Sequence, residues 1–192
     1  MENRVVLFGK AKEIKDNDLI ISLKDVEVSI FLSKDFKDYV SNIMSRGGTY
    51  YVLVNGFLAT LPEYTYVYPY NLVVTKEEQR ESNVVVFSGK VSDVYNYENR
   101  LRLFIRSERK DKITKMFVTV FKSDFPNLNV QVGSDVIVVG RLTASTSNPQ
   151  NPFITANEIF VRGNVSECID SGGDADVESD DLFDVNSDEI VF

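Results

Sequence analysis

The feature that most constrains this chain is that it repeats itself. Val5-Val6-Leu7-Phe8-Gly9-Lys10 is matched by Val85-Val86-Phe87-Ser88-Gly89-Lys90. Ser29-Ile30-Phe31-Leu32-Ser33-Lys34-Asp35-Phe36 is matched by Thr119-Val120-Phe121-Lys122-Ser123-Asp124-Phe125. The stretch from Gly48 to Gly56 is matched by Gly133 to Gly140, and Tyr68-Pro69-Tyr70 by Asn151-Pro152-Phe153. The matches keep their order in both halves, at offsets of roughly 80 to 89 positions. A repeat of that length is one small domain, so the 192 residues are expected to hold two.

The repeated pieces are short Val/Ile/Phe/Tyr runs separated by Gly, Asn, Asp and Pro, which is strand-and-turn chemistry. Each half reads strand, strand, strand, short helix or turn, strand, loop, strand. The helical stretch is clearest at Lys34 to Ser45, closed by Arg46-Gly47-Gly48, where two glycines suit a helix C-cap. Five strands with a helical segment between the third and fourth is the order of an OB-fold barrel. The expected fold class is therefore all-β with a short helix per domain: tandem five-stranded OB-fold barrels and an acidic C-terminal tail. The first domain is placed at residues 1–75, a polar linker at 76–82, the second domain at 83–163 and a disordered tail at 164–192.

The charge follows the same division. The net charge is −8, yet no Lys or Arg follows Arg162, and ten of the 29 acids lie between Asn164 and Phe192. That leaves 19 acids against 21 bases in residues 1–163. Residues 1–75 hold 8 bases and 9 acids, while residues 83–163 hold 11 bases and 7 acids. The second half is the cationic one, and a self-repelling acidic tail is expected to stay unfolded. Apolar residues nonetheless sit among its acids, at Asp181-Leu182-Phe183 and Asp188-Glu189-Ile190-Val191-Phe192. A purely solvating tail has no use for them. A peptide that docks in a basic pocket does.

Val85 to Gly163 resembles the bacterial and phage single-stranded-DNA-binding proteins. The resemblance rests on Gly89-Lys90-Val91-Ser92-Asp93-Val94, Leu101-Arg102-Leu103-Phe104-Ile105-Arg106-Ser107-Glu108, Arg109-Lys110-Asp111-Lys112 and Phe117-Val118-Thr119-Val120-Phe121. It continues through Val132 to Leu142 and Ala156 to Val161, and the Phe-terminated acidic tail matches as well. The departures are the absence of tryptophan and the presence of two OB units in one chain. The resemblance implies sequence-tolerant binding and protection of single-stranded DNA in replication, recombination or repair. It also implies a tail (Asp181, Leu182, Phe183, Asp188, Glu189, Ile190, Val191, Phe192) that recruits replication or recombination proteins and competes with DNA.

Strand alternation locates the face that would bind. If Leu101, Leu103 and Ile105 point inward with Val118 and Val120, then Arg102, Phe104, Arg106, Lys115, Phe117, Thr119 and Phe121 point outward. Aromatic rings stack on unpaired bases while cations neutralise the backbone. The turn Arg109, Lys110, Lys112 extends the patch. Tyr95 and Tyr97 line one rim, Arg141 and Phe153 flank the other, and Ala144 to Asn151 is expected as a mobile loop. The corresponding set in the first half is Ile20, Ser22, Lys24, Glu27, Ser29 and Phe31. The tyrosine-rich loop Glu63 to Tyr70 suits either base stacking or an interface. The first half would extend the DNA path or mediate dimerisation.

Other classes are less compatible. There is no histidine and a single cysteine, Cys168, so neither a Ser-His-Asp system nor a Cys/His zinc site can be assembled. Residues 1–10 lack a signal-peptide pattern and no apolar run reaches ~18 residues. The expectation is a non-enzymatic, cofactor-free, metal-free cytoplasmic protein, in host cytoplasm if phage-encoded, that is able to form a homodimer. The alternatives are an OB-fold protein–protein adaptor of a replication or recombination complex, or an RNA-binding OB protein.

Overall fold

The computed structural model describes residues 3–162 apart from 25, 62, 63, 110, 111, 146 and 147; the acidic segment lies outside the described residues. The first half forms β1 (Asn3–Lys15), β2 (Asp18–Leu23), β3 (Val26–Phe31), α1 (Lys34–Met44), β4 (Tyr51–Thr60) and β5 (Thr65–Thr75). The second forms β6 (Ser82–Asn96), β7 (Arg100–Arg109), β8 (Lys112–Phe121), β9 (Asp135–Ser145) and β10 (Asn148–Arg162).

The strand order is β2-β3-β5-β4-β1-β6-β7-β8-β10-β9, with β2–β1 and β6–β9 also paired. Each half thus closes on itself, as β1-β2-β3-β5-β4-β1 and β6-β7-β8-β10-β9-β6, which is the OB-fold circuit. Closure requires the first strand of each half to serve two neighbours. Residues Val5–Lys10 of β1 pair with β4, and Lys10–Lys15 pair with β2. The strand coils sharply there, and Gly89 shows why glycine is used: a Cβ on it would sit 2.3 Å from the Arg106 carbonyl oxygen.

The interiors are filled by the inward set of every strand. Leu7, Leu19, Ile21, Ile30, Leu58 and Val67 fill the first barrel, and Phe87, Leu103, Ile105, Val118, Leu142 and Ile154 the second, all at most 1% exposed. Helix α1 covers the first barrel with buried Val40 and partly buried Phe36, Ile43 and Met44. It ends at Ser45, and Gly47 and Gly48 follow with φ of 72° and 106°, the left-handed region that glycine tolerates. The second barrel departs from the expectation of a helix per domain. Residues 122–134 run as turns, and Phe125, Leu128 and Val130 pack on the core in place of a helix. Pro126 and the asparagines Asn127 and Asn129 favour turns over a continuous helix.

The barrels join edge to edge through an antiparallel β1–β6 ladder from Asn3↔Phe87 to Phe8↔Ser82. Val5 pairs with Val85, its own repeat partner, so a pseudo-twofold axis passes between them. The symmetry extends to side chains. Asn3 donates Nδ2 to the Leu58 carbonyl (2.8 Å) and its Oδ1 accepts from the Leu58 N–H (2.9 Å). Asn83 makes the same pair with Leu142, both at 2.9 Å. Here the first strand swings away from its barrel toward the other half, and a side-chain amide satisfies the backbone groups it leaves behind. No helix of the described residues is long and apolar enough to cross a membrane.

Candidate nucleic-acid interface

The ladders β6–β7 and β7–β8 fix which side chains meet on the outer surface of the second barrel. Leu103, Ile105, Met116, Val118 and Val120 are buried inward, and Leu101 packs partly on the core. Arg102, Phe104, Arg106, Lys115, Phe117 and Phe121 therefore point outward, as alternation predicts. Across the strands, Asp93 opposes Phe104 and Phe104 opposes Phe117; Tyr95 opposes Arg102 and Arg102 opposes Thr119. Thr119 lies on this face but is only 5% exposed.

These registers gather four rings around one guanidinium. Phe104 and Phe117 lie 4.6 Å apart between centroids, and Tyr95 is 6.5 Å from Phe117. The Arg102 guanidinium sits 4.4 Å from the Phe117 centroid and 5.7 Å from that of Phe153. Its Nε is buried and makes no hydrogen bond among the described residues. An oriented, partly desolvated cation held on rings is a strong attractor for phosphate or for the face of a base.

Cations ring this cluster. Lys90 opposes Arg106, which opposes Lys115, and all three are exposed. Arg106 is ion-paired with Glu108, at 2.7 Å with both side chains about half exposed, a pairing weak enough for a phosphate to displace. On the other side Arg100 lies 5.2 Å over Tyr97 and opposes Phe121, which is 36% exposed. Arg141 is exposed on β9 across from Thr155. Lys90 and Arg100 were not singled out from the sequence. The alternation that finds Arg102 also finds Arg100, two residues earlier.

The remaining expected residues divide. Lys112 does not extend this face; its ammonium sits 5.8 Å over Tyr68 of the first barrel. Lys110 lies outside the described residues, as does the side chain of Arg109. The stretch Ala144 to Asn151 is not a loop in its described part, because β9 runs to Ser145 and β10 starts at Asn148, which pairs with it. The tail residues Asp181, Leu182, Phe183, Asp188, Glu189, Ile190, Val191 and Phe192 lie outside the described residues.

In the first barrel, Tyr66, Tyr68 and Tyr70 belong to strand β5 rather than a loop. The alternation Thr65-Tyr66-Val67-Tyr68 with Val67 fully buried was the signal for it. The ladders also shift two repeat matches. Phe31 corresponds to Thr119, not Phe121, because the β7–β8 hairpin is longer than β2–β3. Tyr66, not Tyr70, corresponds to Phe153. The face of the first barrel equivalent to the ring cluster is an open groove lined by Glu13, Lys15, Asp16, Asp18, Ile20, Glu27, Ser29 and Tyr64. Burial, and next the nearby Asp16, hold the Asp18 carboxyl above the usual carboxylate range. Glu27 is ion-paired with Lys12.

No protein-family model matches the chain, and no curated protein matches it in sequence. Among solved structures, a deletion mutant of the single-stranded DNA binding protein from Thermus aquaticus is similar, with TM-score 0.63 and 14% identity. That similarity covers 84% of this chain and 94% of that one. The wild-type protein from the same organism is similar with TM-score 0.62 and 13% identity, over 92% of this chain and 97% of that one. At such identity the likeness establishes the fold.

Proposed function

We propose that the chain binds single-stranded DNA, with little sequence preference, on the outer face of β6, β7 and β8. The observation that carries this reading is the cluster of Tyr95, Phe104, Phe117 and Phe153 about Arg102, bordered by exposed Lys90, Arg100, Arg106, Lys115 and Arg141. Rings on a surface offer stacking to any base whose face is free, and duplex stacking hides those faces. The bordering cations neutralise the backbone whatever its sequence. Tyr95 and Phe117 keep 46% and 36% of their surface exposed, so these rings are not consumed in the contact between the barrels. The Thermus aquaticus likeness is compatible with the reading through its fold.

In this reading the protein is a non-enzymatic binder that protects single strands during replication, recombination or repair. The acidic segment with Leu182, Phe183, Ile190, Val191 and Phe192 competes with DNA for the cationic face and, when displaced, recruits partner proteins. Tethering keeps that competition independent of protein concentration and sensitive to salt.

The test is fluorescence anisotropy of a labelled oligo-dT of about 30 nucleotides against a duplex of equal length, over several salt concentrations. Expected is binding to the single strand only, with log K falling against log[salt] by about 0.7 per phosphate contacted. No binding at low salt, with or without residues 164–192, would exclude the reading and favour the adaptor alternative.

A further inference from the structure

The first barrel has an aromatic row of its own, which starts at Tyr64 beside the acidic groove and runs across β3, β5 and β4. Phe57 stacks on Tyr68 (5.2 Å, 22°) and Tyr68 on Phe31 (5.6 Å, 16°). Phe31 continues to Tyr66 (5.9 Å), and Tyr66 to Tyr64 (5.7 Å). The registers Phe57↔Tyr68 and Ser29↔Tyr66 bring β4, β5 and β3 side by side, so the rings form one ladder on the barrel surface. The barrel does not need them to close. The second barrel closes by the same circuit with Arg141, Thr155 and Thr119 at the positions of Phe57, Tyr68 and Phe31, where Thr143 and Thr155 share a 2.8 Å hydrogen bond. Beneath the ladder, Ile30, Leu58 and Val67 are already fully buried.

The ladder is also joined to the site on the second barrel. Lys112, in the β7–β8 hairpin, holds its ammonium 5.8 Å over Tyr68. The same hairpin is anchored on β4: Thr114 donates its hydroxyl to the Leu58 carbonyl (3.3 Å), and the Lys115 N–H donates to Thr60 Oγ1 (3.2 Å). Along β8, Phe117 and Lys115 stand on the ring-cluster face, while Lys112 lies on the other side of the strand with Thr114 and turns to Tyr68 of the first barrel. The acidic groove of Glu13, Asp16, Asp18 and Glu27 occupies the neighbouring face and repels a polyanion from it.

We propose that Tyr68, Phe31 and Tyr66 form a second base-stacking platform, which a strand leaving the second barrel reaches around the β7–β8 hairpin, where Lys112 sits over Tyr68. This rests on the second barrel being a single-stranded DNA site. It shifts the first barrel's contribution from the acidic groove at β1 and β2 to the adjoining surface of β3, β5 and β4.

The test uses the full chain and two oligo-dT lengths, about 12 and about 30 nucleotides, since one OB barrel occupies roughly 4–16. The chain has nine tyrosines and no tryptophan, so tyrosine emission reports stacking directly alongside anisotropy. The double variant Phe31→Leu, Tyr68→Leu keeps apolar bulk and removes two rings. It is expected to bind the short oligomer like the wild type and the long one roughly 10-fold or more weakly. The pair Tyr66→Phe, Tyr68→Phe is expected to retain long-oligomer affinity while losing part of the emission change. Unchanged long-oligomer affinity in the leucine variant overturns the proposal. An equal loss at both lengths overturns it too, because it marks damage outside the ladder. If the wild type binds neither length, the parent reading fails and takes the ladder with it.

Discussion

Where the second barrel carries Arg102, the first carries Asp18; where it carries Lys115, the first carries Glu27; where it carries Phe104 and Phe117, the first carries Ile20 and Ser29. These are equivalent positions in ladders that agree pair by pair, including the irregularity between Ala11 and Glu13 and that between Val91 and Asp93. One backbone thus presents a cationic aromatic face on one barrel and an acidic groove on the other. Most inward residues are identical, such as Leu19 and Leu103 or Ile21 and Ile105, or apolar in both, such as Leu7 and Phe87, while buried Leu23 and Val26 are answered by buried Ser107 and Thr114. The difference teaches that closure of the barrel constrains alternate positions only and leaves the outward set free to take opposite chemistry. The longer hairpins of the second barrel add to this. Two residues lie between Lys15 and Asp18 and six between the equivalent Tyr95 and Arg102, and the four extra positions supply Tyr97 and Arg100.

Replacing Arg102 by the first barrel's aspartate breaks this comparison most directly. Arg102→Asp is expected to weaken oligo-dT binding by ~100-fold, since a stacked cation is lost and an anion placed among the rings. Lys24→Glu in the first barrel should leave anisotropy titrations within about twofold, because exposed charges beyond a Debye length of ~8 Å are screened. Equal effects of the two changes would defeat the assignment of the site. Next in size is Phe117→Ala, which removes the ring shared by Phe104, Tyr95 and Arg102. A loss of ~1–3 kcal/mol in binding is expected, with melting temperature little altered because the side chain is partly exposed.

The shared clamps test the symmetric part of the comparison. Asn3→Ala and Asn83→Ala each remove a two-hydrogen-bond clamp at equivalent places, from the Leu58 and Leu142 backbone groups, with the Leu58 carbonyl keeping the Thr114 hydroxyl. Denaturant titration should give ~1–3 kcal/mol lost for each. A large disparity would show that the barrels differ in their scaffolds as well as their faces. Removing Ser179 to Phe192 is expected to tighten single-strand binding a few-fold at low salt, with no difference at high salt. Weaker binding after truncation would contradict a competing role for the acids.

The smallest effect concerns Asp18. Its folded-state pKa is raised by burial and by Asp16, so the native state holds the proton more tightly than the unfolded chain. That disfavours folding at neutral pH and is relieved as pH falls through the raised value. Asp18→Asn should therefore melt slightly higher at pH 7. The advantage should vanish below the unfolded carboxylate pKa of about 3.9.

Much of this was legible in the chain. Alternation in Leu101 to Arg106 and Met116 to Phe121 identified the outward residues, because a strand's two faces follow from its two-residue period. The same reasoning failed at Tyr64 to Tyr70, where Pro69 and the density of tyrosines suggested a loop. Pro69 sits at a register irregularity between Asn55 and Gly56, where a missing N–H is tolerated. The segment after Phe121 was open to a short helix or a turn, one helix being expected per domain, and the turn-forming residues prevailed.

The sequence by itself determined the duplication, the strand content, the charge difference between halves and the face on which Arg102 and Phe104 stand. All of these depend on local pattern, through period, turn residues and composition. Only the tertiary structure decided that β1 and β6 pair across a pseudo-twofold, that Phe153 meets Arg102, and that Lys112 reaches Tyr68. Each of those contacts joins residues distant in the chain, and such pairings are set by ladder register and barrel closure, which no local pattern encodes.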